Sequence, residues 1–276
     1  DKAPALDYRI TDDALGHGGP KAKFRMNLEA IHTLGKIEVE NRRATKQEQE
    51  ILAKYVGWGG IPQAFDSNNS VWANEYAELK ETLTETEYES ARASTLNAHY
   101  TSPTVINAIY QAIENLGFRR GNILEPSCGI GNFFGLLPEN MAGSKLYGVE
   151  LDSITGRIAR QLYQNADIQI KGFENTDYPD SFFDLAIGNV PFGSYGVSDQ
   201  RYAKQKFHIH DYFFAKALDK VRPGGIIAFI TSKGTLDKQD DRTRQYIAER
   251  ADLLGAIRLP NNAFAANANT EVTADI

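Results

Sequence analysis

From about residue 103 onward, the sequence alternates between short apolar segments and longer segments with helical spacing of apolar residues. This alternation restricts the possible folds more than any other feature. Strands separated by helices of this length form βαβ units, in which helices cover both faces of a mostly parallel, twisted sheet. The predicted strands cover residues 122–124, 145–149, 168–170, 185–188, 226–231 and 254–259, and the predicted helices cover 103–116, 153–165, 211–221 and 242–249.

Residues 1–97 lack strand signals and have helical periodicity instead. Apolar residues recur at helical spacing between Phe24 and Ile37, and Thr45 with Glu48 forms a capping-box pattern at the start of a second helix. The glycine-rich stretch around Trp58 breaks the chain, and two more helices fit residues 70–82 and 84–96. We therefore expect a helical N-terminal region over residues 1–97 and an α/β domain over residues 98–276.

The composition is that of a globular protein: 42% of the 276 residues are hydrophobic and 24% are charged. The net charge of −6 means that a polyanionic partner would be held by local basic patches. One cysteine, Cys128, allows no internal disulfide, and no zinc-ligand spacing occurs. We find no signal peptide and no apolar run of about 20 residues. These features predict a cytoplasmic protein without a membrane segment or a metal site. The start at Asp1 and the end at Ile276 favour a fragment of a longer protein.

Four residues at the end of the predicted strand 185–188 have the pattern Asn-x-Pro-aromatic, namely Asn189, Val190, Pro191 and Phe192. Such a turn can hold a planar amino group, since the Asn side-chain oxygen and the next backbone carbonyl both accept hydrogen bonds from an NH₂. The aromatic ring can stack on the attached heterocycle, and proline keeps the turn rigid. An ordinary loop after a strand is the alternative interpretation of these four residues.

A second candidate site, residues 125–133, directly follows the first predicted strand and contains Gly129 and Gly131. Glycines there let the backbone approach a ligand at the carboxyl edge of the sheet. Phe134 occupies the third glycine position of a dinucleotide fingerprint, and no phosphate-loop motif is present. Glu150 ends the next strand about 20 residues later, where an acid can bind both ribose hydroxyls, although it could also be a solvated charge. Together these features favour a nucleoside without pyrophosphate, and S-adenosylmethionine fits that description.

With residues 125–133, 148–150 and 189–192 in this order, the chain resembles the amino-group DNA methyltransferases, and in particular the N6-adenine enzymes of restriction-modification systems. Residues 99–103 and 223–230 resemble two further segments of that family, so that the resemblance covers roughly residues 98–260. Residues 52–62 resemble the methylase portion of very large methylase–helicase polypeptides of phages, plasmids and conjugative elements.

The resemblance implies a Rossmann-like S-adenosylmethionine-dependent methyltransferase fold, with DNA as partner and a fused helicase in the full-length protein. A target-recognition domain would follow the catalytic domain and is not present in residues 98–276. The departure from the family is Val190, which replaces the first proline of the usual Asn-Pro-Pro-aromatic turn. Phe264 could form a second wall for the target base. The implied cofactor-binding residues are Tyr100, Thr101, Glu125, Pro126, Cys128, Gly129, Gly131, Asn132, Phe133, Glu150, Leu151, Phe173 and Glu174.

Within that set, Tyr100 and Thr101 are expected at the methionine end of the cofactor. Phe173 is expected either to pack on the cofactor adenine, with Glu174 as an acceptor, or simply to fill the core. The predicted function is methyl transfer to N6 of an adenine flipped out of DNA. The same turn would also serve RNA adenine or a protein glutamine. A non-catalytic cofactor- or DNA-binding module, in which Val190 has weakened the chemistry, is the alternative of another class.

Overall fold

The computed structural model describes residues 4–12, 16–95, 101–261, 263–264 and 273–276. Within these residues six strands form one sheet, in the order β3-β2-β1-β4-β5-β6. Strands β1 to β5 are parallel, and β6 runs antiparallel to β5. The predicted parallel sheet is therefore confirmed. The strands are β1 (Asn122–Glu125), β2 (Lys145–Glu150), β3 (Asp167–Ile170), β4 (Phe183–Asn189), β5 (Val221–Ser232) and β6 (Ala274–Asp275).

The helices follow the predicted periodicity, with boundaries that differ by a few residues. In the N-terminal region, they are α1 (Pro20–Val39), α2 (Lys46–Leu52), α3 (Ala73–Thr82) and α4 (Glu85–Ser94). In the sheet domain they are α5 (Pro103–Asn115), α6 (Asn132–Gly135), α7 (Ser153–Leu162), α8 (Ile209–Lys220), α9 (Gly234–Asp237) and α10 (Arg242–Ala248). Short 3-10 turns cover Pro62–Phe65, Ser70–Trp72, Glu139–Met141, Phe173–Asn175 and Gln200–Tyr202.

The order of the strands determines where a ligand can bind. β1 pairs with β2 on one side and with β4 on the other, so the chain reverses its direction of winding between β1 and β4. In open α/β sheets, ligands bind beyond the carboxyl ends of the strands at such a switch point. The residues that end β1, β2 and β4 are Glu125, Glu150 and Asn189, which are all residues singled out from the sequence.

The predicted strand over residues 254–259 is wrong. Residues 251–257 are exposed and have no regular secondary structure. Their backbone is paired only at its end, where Ile257 and Ile276 exchange two hydrogen bonds and Arg258 forms an isolated bridge with Asp275. The Leu259 N–H also donates to the Ala274 carbonyl (2.9 Å), so that among the described residues the pairing of the predicted strand is limited to residues 257–259.

Residues 222–225, just before the predicted strand 226–231, form a bulge within β5. Phe183 of β4 pairs with Val221, whereas Leu185 pairs with Ile226, so that residues 222–225 are left out of the ladder. The positive φ of Gly224 (77°) permits this excursion. The apolar part of β5 then pairs regularly with β4 up to Asn189, which holds the end of β4 in the interior of the sheet.

The helical N-terminal region and the sheet domain share a hydrophobic core. Trp58 is buried with Phe24 and Tyr55 in a cluster that also contains Ile158 and Leu162 of α7. The capping box at the start of α2 is confirmed, because Thr45 accepts from the Glu48 backbone and the Glu48 carboxylate accepts from the Thr45 backbone.

Polar contacts join the same two parts of the chain. The side-chain amide of Gln49 in α2 donates to the backbone carbonyls of Gln161 and Leu162 at the end of α7. Near the start of the chain, Tyr8 donates its backbone N–H to the Leu162 carbonyl as well. The N-terminal region is therefore fixed against the helix that follows β2. In the described part of the chain, no helix combines the length and the apolar character needed to span a membrane.

Candidate functional site

A cavity of about 440 Å³ lies at the carboxyl edge of the sheet and brings most of the predicted site residues together. Its walls come from the loop after β1, the end of β2, the turn after β3 and the turn after β4. Motifs that are far apart in the sequence therefore meet in one place. The predicted residues that line the cavity are Thr101, Glu125, Pro126, Cys128, Gly129, Asn132, Phe133, Glu150, Leu151, Phe173, Glu174, Asn189, Val190 and Pro191.

The loop after β1 is held against β2 while its glycines take conformations that other residues rarely adopt. The Cys128 N–H donates to the Val149 carbonyl (2.9 Å). Gly129 has φ 56°, and a Cβ built on it would find no atom within 4 Å, so this part of the loop faces open space. Gly131 has φ 89° and does not line the cavity. A Cβ there would lie 2.4 Å from the Tyr163 ring, so Gly131 is required for packing.

The carboxylate of Glu150 connects the end of β2 to the glycine loop. Its two oxygens accept from the backbone N–H groups of Gly129 (2.9 Å) and Asp152 (2.8 Å). Burial raises the pKa of Glu150 to about 7, against these two hydrogen bonds, which favour the ionised form. A carboxylate has more lone pairs than these two donors use, so Glu150 can also accept from a ligand's hydroxyls.

A second acid, Glu125, lies deeper in the cavity wall. It is only 2% exposed, and its Oε2 has no hydrogen-bond partner among the described residues. Burial, with the nearby Glu150 charge as a smaller contribution, raises its pKa well above the ordinary range. Gly188 of β4 lies beside it, since a Cβ on Gly188 would approach the Glu125 side chain to 3.1 Å. A buried, unpartnered carboxyl at a cavity wall is suited to a cationic or hydrogen-donating ligand group.

Thr101 is connected directly to the predicted catalytic turn. The Asn189 side-chain nitrogen donates to the Thr101 hydroxyl (3.1 Å). This hydrogen bond fixes the amide, and it leaves the side-chain oxygen of Asn189 as the acceptor that is available to a ligand. Tyr100, which was predicted beside Thr101, lies outside the described residues.

The backbone of Val190 continues the sheet. Its N–H donates to the Ile230 carbonyl (3.1 Å), and its side chain is buried. Proline, which is usual at this position in the family that the turn resembles, has no N–H and could not make this bond. The structure thus shows how a valine can hold the turn: a hydrogen bond to β5 replaces the restraint of a proline ring.

Two aromatic residues differ in position from their expected roles. Phe192 does not line the cavity; it is partly buried and packs against the clusters on both sides of the sheet. Phe264 is fully buried in the core cluster that contains α5, and it does not line the cavity either. Neither ring is therefore placed as a wall for a bound base in this structure. The reason is the same for both: each ring packs in the apolar core, where its burial is favourable.

The position of Phe173 agrees with both of its alternative roles, a contact with the cofactor and a place in the core. It lines the cavity, yet it is also packed against the Tyr212 and Phe213 rings of α8 and is almost completely buried. Glu174, the next residue, is partly exposed and lines the cavity as well. The turn after β3 thus presents an apolar surface with a neighbouring acceptor.

No pattern in the sequence indicated that the N-terminal region forms a wall of this cavity. Tyr55, Val56 and Gly57 line it from the segment after α2, and Ser90, Ala93 and Ser94 line it from α4. Asn27 of α1 holds the first segment in place, because its side chain accepts from the Val56 N–H (2.9 Å) and donates to the Gly57 carbonyl (2.7 Å). The Ser90 hydroxyl donates to Asp152 just after β2 (2.7 Å).

Tyr195 is another cavity residue that the sequence analysis missed. It lies in the Gly-Ser-Tyr-Gly segment that follows the catalytic turn, and an aromatic residue between glycines was the signal that could have revealed it. Within the described ranges, no group of three or more His, Cys, Asp or Glu side chains could hold a metal ion.

Comparison with known proteins shows what the chain is similar to. Residues 144–264, which include the end of β2, the turn after β4 and strand β5, match the family described as Eco57I restriction-modification methylase. Residues 144–264 are therefore similar to a restriction-modification methylase domain.

The matching proteins agree with this class. The chain is 29% identical over 263 residues to the "Defense against restriction protein B" of Escherichia phage P1, covering 93% of this chain and 10% of that protein. It is 29% identical over 136 residues to the "Modification methylase CviBIII" of Paramecium bursaria Chlorella virus NC1A, covering 48% of this chain and 36% of that one. The chain therefore spans only a small part of the length of these relatives.

Solved structures support the fold. A type I restriction-modification methyltransferase subunit from Streptococcus thermophilus superposes with a TM-score of 0.53 at 15% identity, covering 92% of this chain and 77% of that one. A modification subunit of a candidate type I restriction enzyme from Vibrio vulnificus YJ016 gives a TM-score of 0.52 at 20% identity, covering 83% of this chain and 52% of that one. The chain thus shares the Rossmann-like fold of these two structures, as predicted.

Proposed function

We propose that this chain is the methylase part of a larger protein, and that it transfers a methyl group from S-adenosylmethionine to N6 of an adenine flipped out of DNA. The observation that supports this most strongly is that Asn189, Val190 and Pro191 line the same cavity as Gly129 and Glu150. A methyl donor and an amino group could therefore be held side by side. We further propose that the reaction takes place in the cytoplasm and that the full-length protein includes a helicase region.

The cavity residues fit the cofactor in three respects. The volume of about 440 Å³ is within the range of small-molecule sites. The open space over Gly129 gives room for a ligand against the loop backbone. The unpartnered oxygen of Glu125 suits an ammonium group such as that of the methionine moiety, and Glu150 suits the ribose hydroxyls.

The cofactor, when bound, supplies an electrophilic methyl group on a sulfonium. The chain supplies the position and the polarisation of the acceptor nitrogen. The Asn189 side-chain oxygen and the Val190 carbonyl each accept from one N–H of the amino group. These bonds draw the nitrogen lone pair out of conjugation with the ring and stabilise the positive charge that develops on nitrogen. The Thr101 hydroxyl keeps Asn189 in the orientation required for this role.

A tritiated-methyl transfer assay offering DNA, RNA and protein in parallel tests the proposal. We expect label in DNA, released by digestion as N6-methyladenine. Asn189→Ala should abolish the transfer while it leaves cofactor binding, measured by calorimetry, almost unchanged. Label in RNA or protein alone would overturn the choice of substrate. Cofactor binding without transfer to any acceptor would instead favour a non-catalytic module.

A further inference from the structure

The turn after β4 is followed by a loop whose aromatic residue is placed differently from Phe192. The Tyr195 side chain lines the cavity, together with Asn189 and Pro191, and the residue is 48% exposed. Phe192 is partly buried between two core clusters and does not line the cavity. Among the described aromatic residues just after β4, Tyr195 is thus the one that can present a ring to a ligand at the turn.

The backbone around Tyr195 is fixed from two directions. The Ile209 N–H at the start of α8 donates to the Tyr195 carbonyl (2.7 Å), and Ile209 itself lines the cavity. Gly196 packs closely against the backbone of Phe207, because a Cβ on Gly196 would lie 2.8 Å from the Phe207 carbonyl oxygen. The hydrogen bond from Ile209 therefore ties the loop to the start of α8 at Tyr195, and this holds the residue beside the cavity.

The ring itself rests against a glycine. A Cβ on Gly193 would lie 2.4 Å from the Tyr195 Cε1 and 2.6 Å from its Cδ1, so that any larger residue at 193 would displace the ring. Because Gly193 has no side chain, the Tyr195 ring can lie close to the turn. A rigid aromatic side chain that is partly exposed and lines the same cavity as Asn189 has the properties of a stacking platform.

We propose that Tyr195 is the residue on which the target adenine stacks, in the role that the sequence motif assigns to Phe192. This inference rests on the proposed function, since it concerns the acceptor side of the same cavity. Phe192 then acts as a core residue that anchors the turn. The base lies against the Tyr195 ring while its amino group reaches Asn189 and the Val190 carbonyl.

Two measurements on the same variants test this role. The first is the affinity for a short single-stranded oligodeoxyadenylate, compared with an abasic strand of the same length, in the presence of S-adenosylhomocysteine. The second is kcat and KM for methyl transfer to DNA. We expect Tyr195→Ala to weaken oligodeoxyadenylate binding about tenfold, the effect of losing one base–aromatic stack. Binding of the abasic strand should not change, and Tyr195→Phe should behave like the wild type.

Variants at two glycines and at Phe192 provide controls. Gly193→Ala should reproduce the loss caused by Tyr195→Ala, because its methyl group displaces the ring. Gly255→Ala adds the same methyl group where no atom lies within 4 Å and should change nothing. Phe192→Leu should lower the melting temperature and leave the preference for adenine over the abasic strand intact.

The outcomes separate this inference from the proposed function. If Tyr195→Ala retains the full preference for the adenine strand, or if Phe192→Leu loses it while remaining folded, Tyr195 is not the platform. A wild-type protein that prefers the adenine strand through Tyr195 but transfers no methyl group would overturn the proposed activity and support the stacking role.

Discussion

The side-chain amide of Asn189 donates a hydrogen bond to the hydroxyl of Thr101 over 3.1 Å, which connects the end of β4 to the segment just before α5. Thr101 is buried, so water does not compete freely for its hydroxyl. An Asn amide can present either its oxygen or its nitrogen to a ligand, and this bond selects the oxygen. Thr101 is therefore a positioning residue for the proposed acceptor site, in addition to its expected place beside the cofactor.

Replacing Thr101 with valine should slow methyl transfer about fivefold, because one hydrogen bond that orients Asn189 is worth about 1 kcal/mol. Thr101→Ser keeps the hydroxyl and should retain most of the rate. Single-turnover transfer with saturating cofactor measures the effect, and calorimetry of cofactor binding gives the control. Equal rates for the valine and serine variants would show that the hydroxyl does not orient the amide.

A proline at position 190 should destabilise the protein by about 1 kcal/mol, because it removes the N–H that donates to the Ile230 carbonyl. Methyl transfer should not increase, since the hydrogen bond to β5 already holds the turn. Denaturant unfolding and the transfer assay measure the two quantities. Val190→Ala, which keeps the N–H, is the control for loss of the buried side chain. A Val190→Pro variant that is both stable and faster than the wild type would mean that valine weakens catalysis.

The sequence predicted the parallel sheet and the meeting of its motifs for a simple physical reason. The carboxyl ends of parallel strands lie at one edge, so residues directly after β1, β2 and β4 must be neighbours. Asn189 was recognised by its Asn-x-Pro-aromatic turn, Glu150 by its spacing after the glycine loop and Glu125 by the family resemblance. The rule explains why these three residues meet. The strand expected at residues 254–259 is paired only over residues 257–259, because a strand needs a partner along its length and apolar periodicity does not show which residues have one.

The contributions of Asn27 and Tyr195 could not be predicted in the same way. Asn27 lies in the middle of an amphipathic helix, where the sequence does not show that its side chain reaches the backbone of residues 56 and 57. The motif assigned a stacking role to Phe192 from its position in the turn alone. Whether the Phe192 ring lies in the cavity or in the core depends on contacts with residues that are distant in the sequence.

Asn27→Ala should weaken cofactor binding although Asn27 itself does not line the cavity. The substitution leaves the Val56 N–H and the Gly57 carbonyl without their partner, at a cost of about 1–3 kcal/mol, and loosens the wall formed by Tyr55, Val56 and Gly57. We expect a lower melting temperature together with a reduced affinity for S-adenosylmethionine in calorimetry.

Leu34→Ala is the matched control for that variant. Leu34 is buried in the same helix, α1, and does not line the cavity, and its truncation should cost a comparable or larger amount of about 2–5 kcal/mol. It should therefore lower the melting temperature without changing the cofactor affinity measured at a temperature where both variants are folded. If the two variants lose affinity to the same extent, the N-terminal region acts only through stability.

The raised pKa of Glu150 predicts that nucleoside binding weakens as the pH falls. Ribose hydroxyls donate to the ionised carboxylate, so binding favours the charged form and releases a proton wherever the free protein is protonated. With a pKa of about 7 in the free protein, affinity should fall about tenfold between about pH 8 and about pH 6. 5′-Methylthioadenosine is the suitable probe, because it keeps the ribose and has no methionine amine or carboxylate that titrates.

Calorimetry of this ligand in two buffers of different ionisation enthalpy measures the proton release directly. Glu150→Gln cannot ionise, so its binding should be weaker at about pH 8 and should depend less on pH than that of the wild type. Glu125 is the proposed partner of the ammonium group and not of the ribose, so Glu125→Gln should keep most of the pH dependence for this ligand. A steep pH dependence that survives in Glu150→Gln would mean that another group in the cavity, and not the acid at the end of β2, receives the ribose.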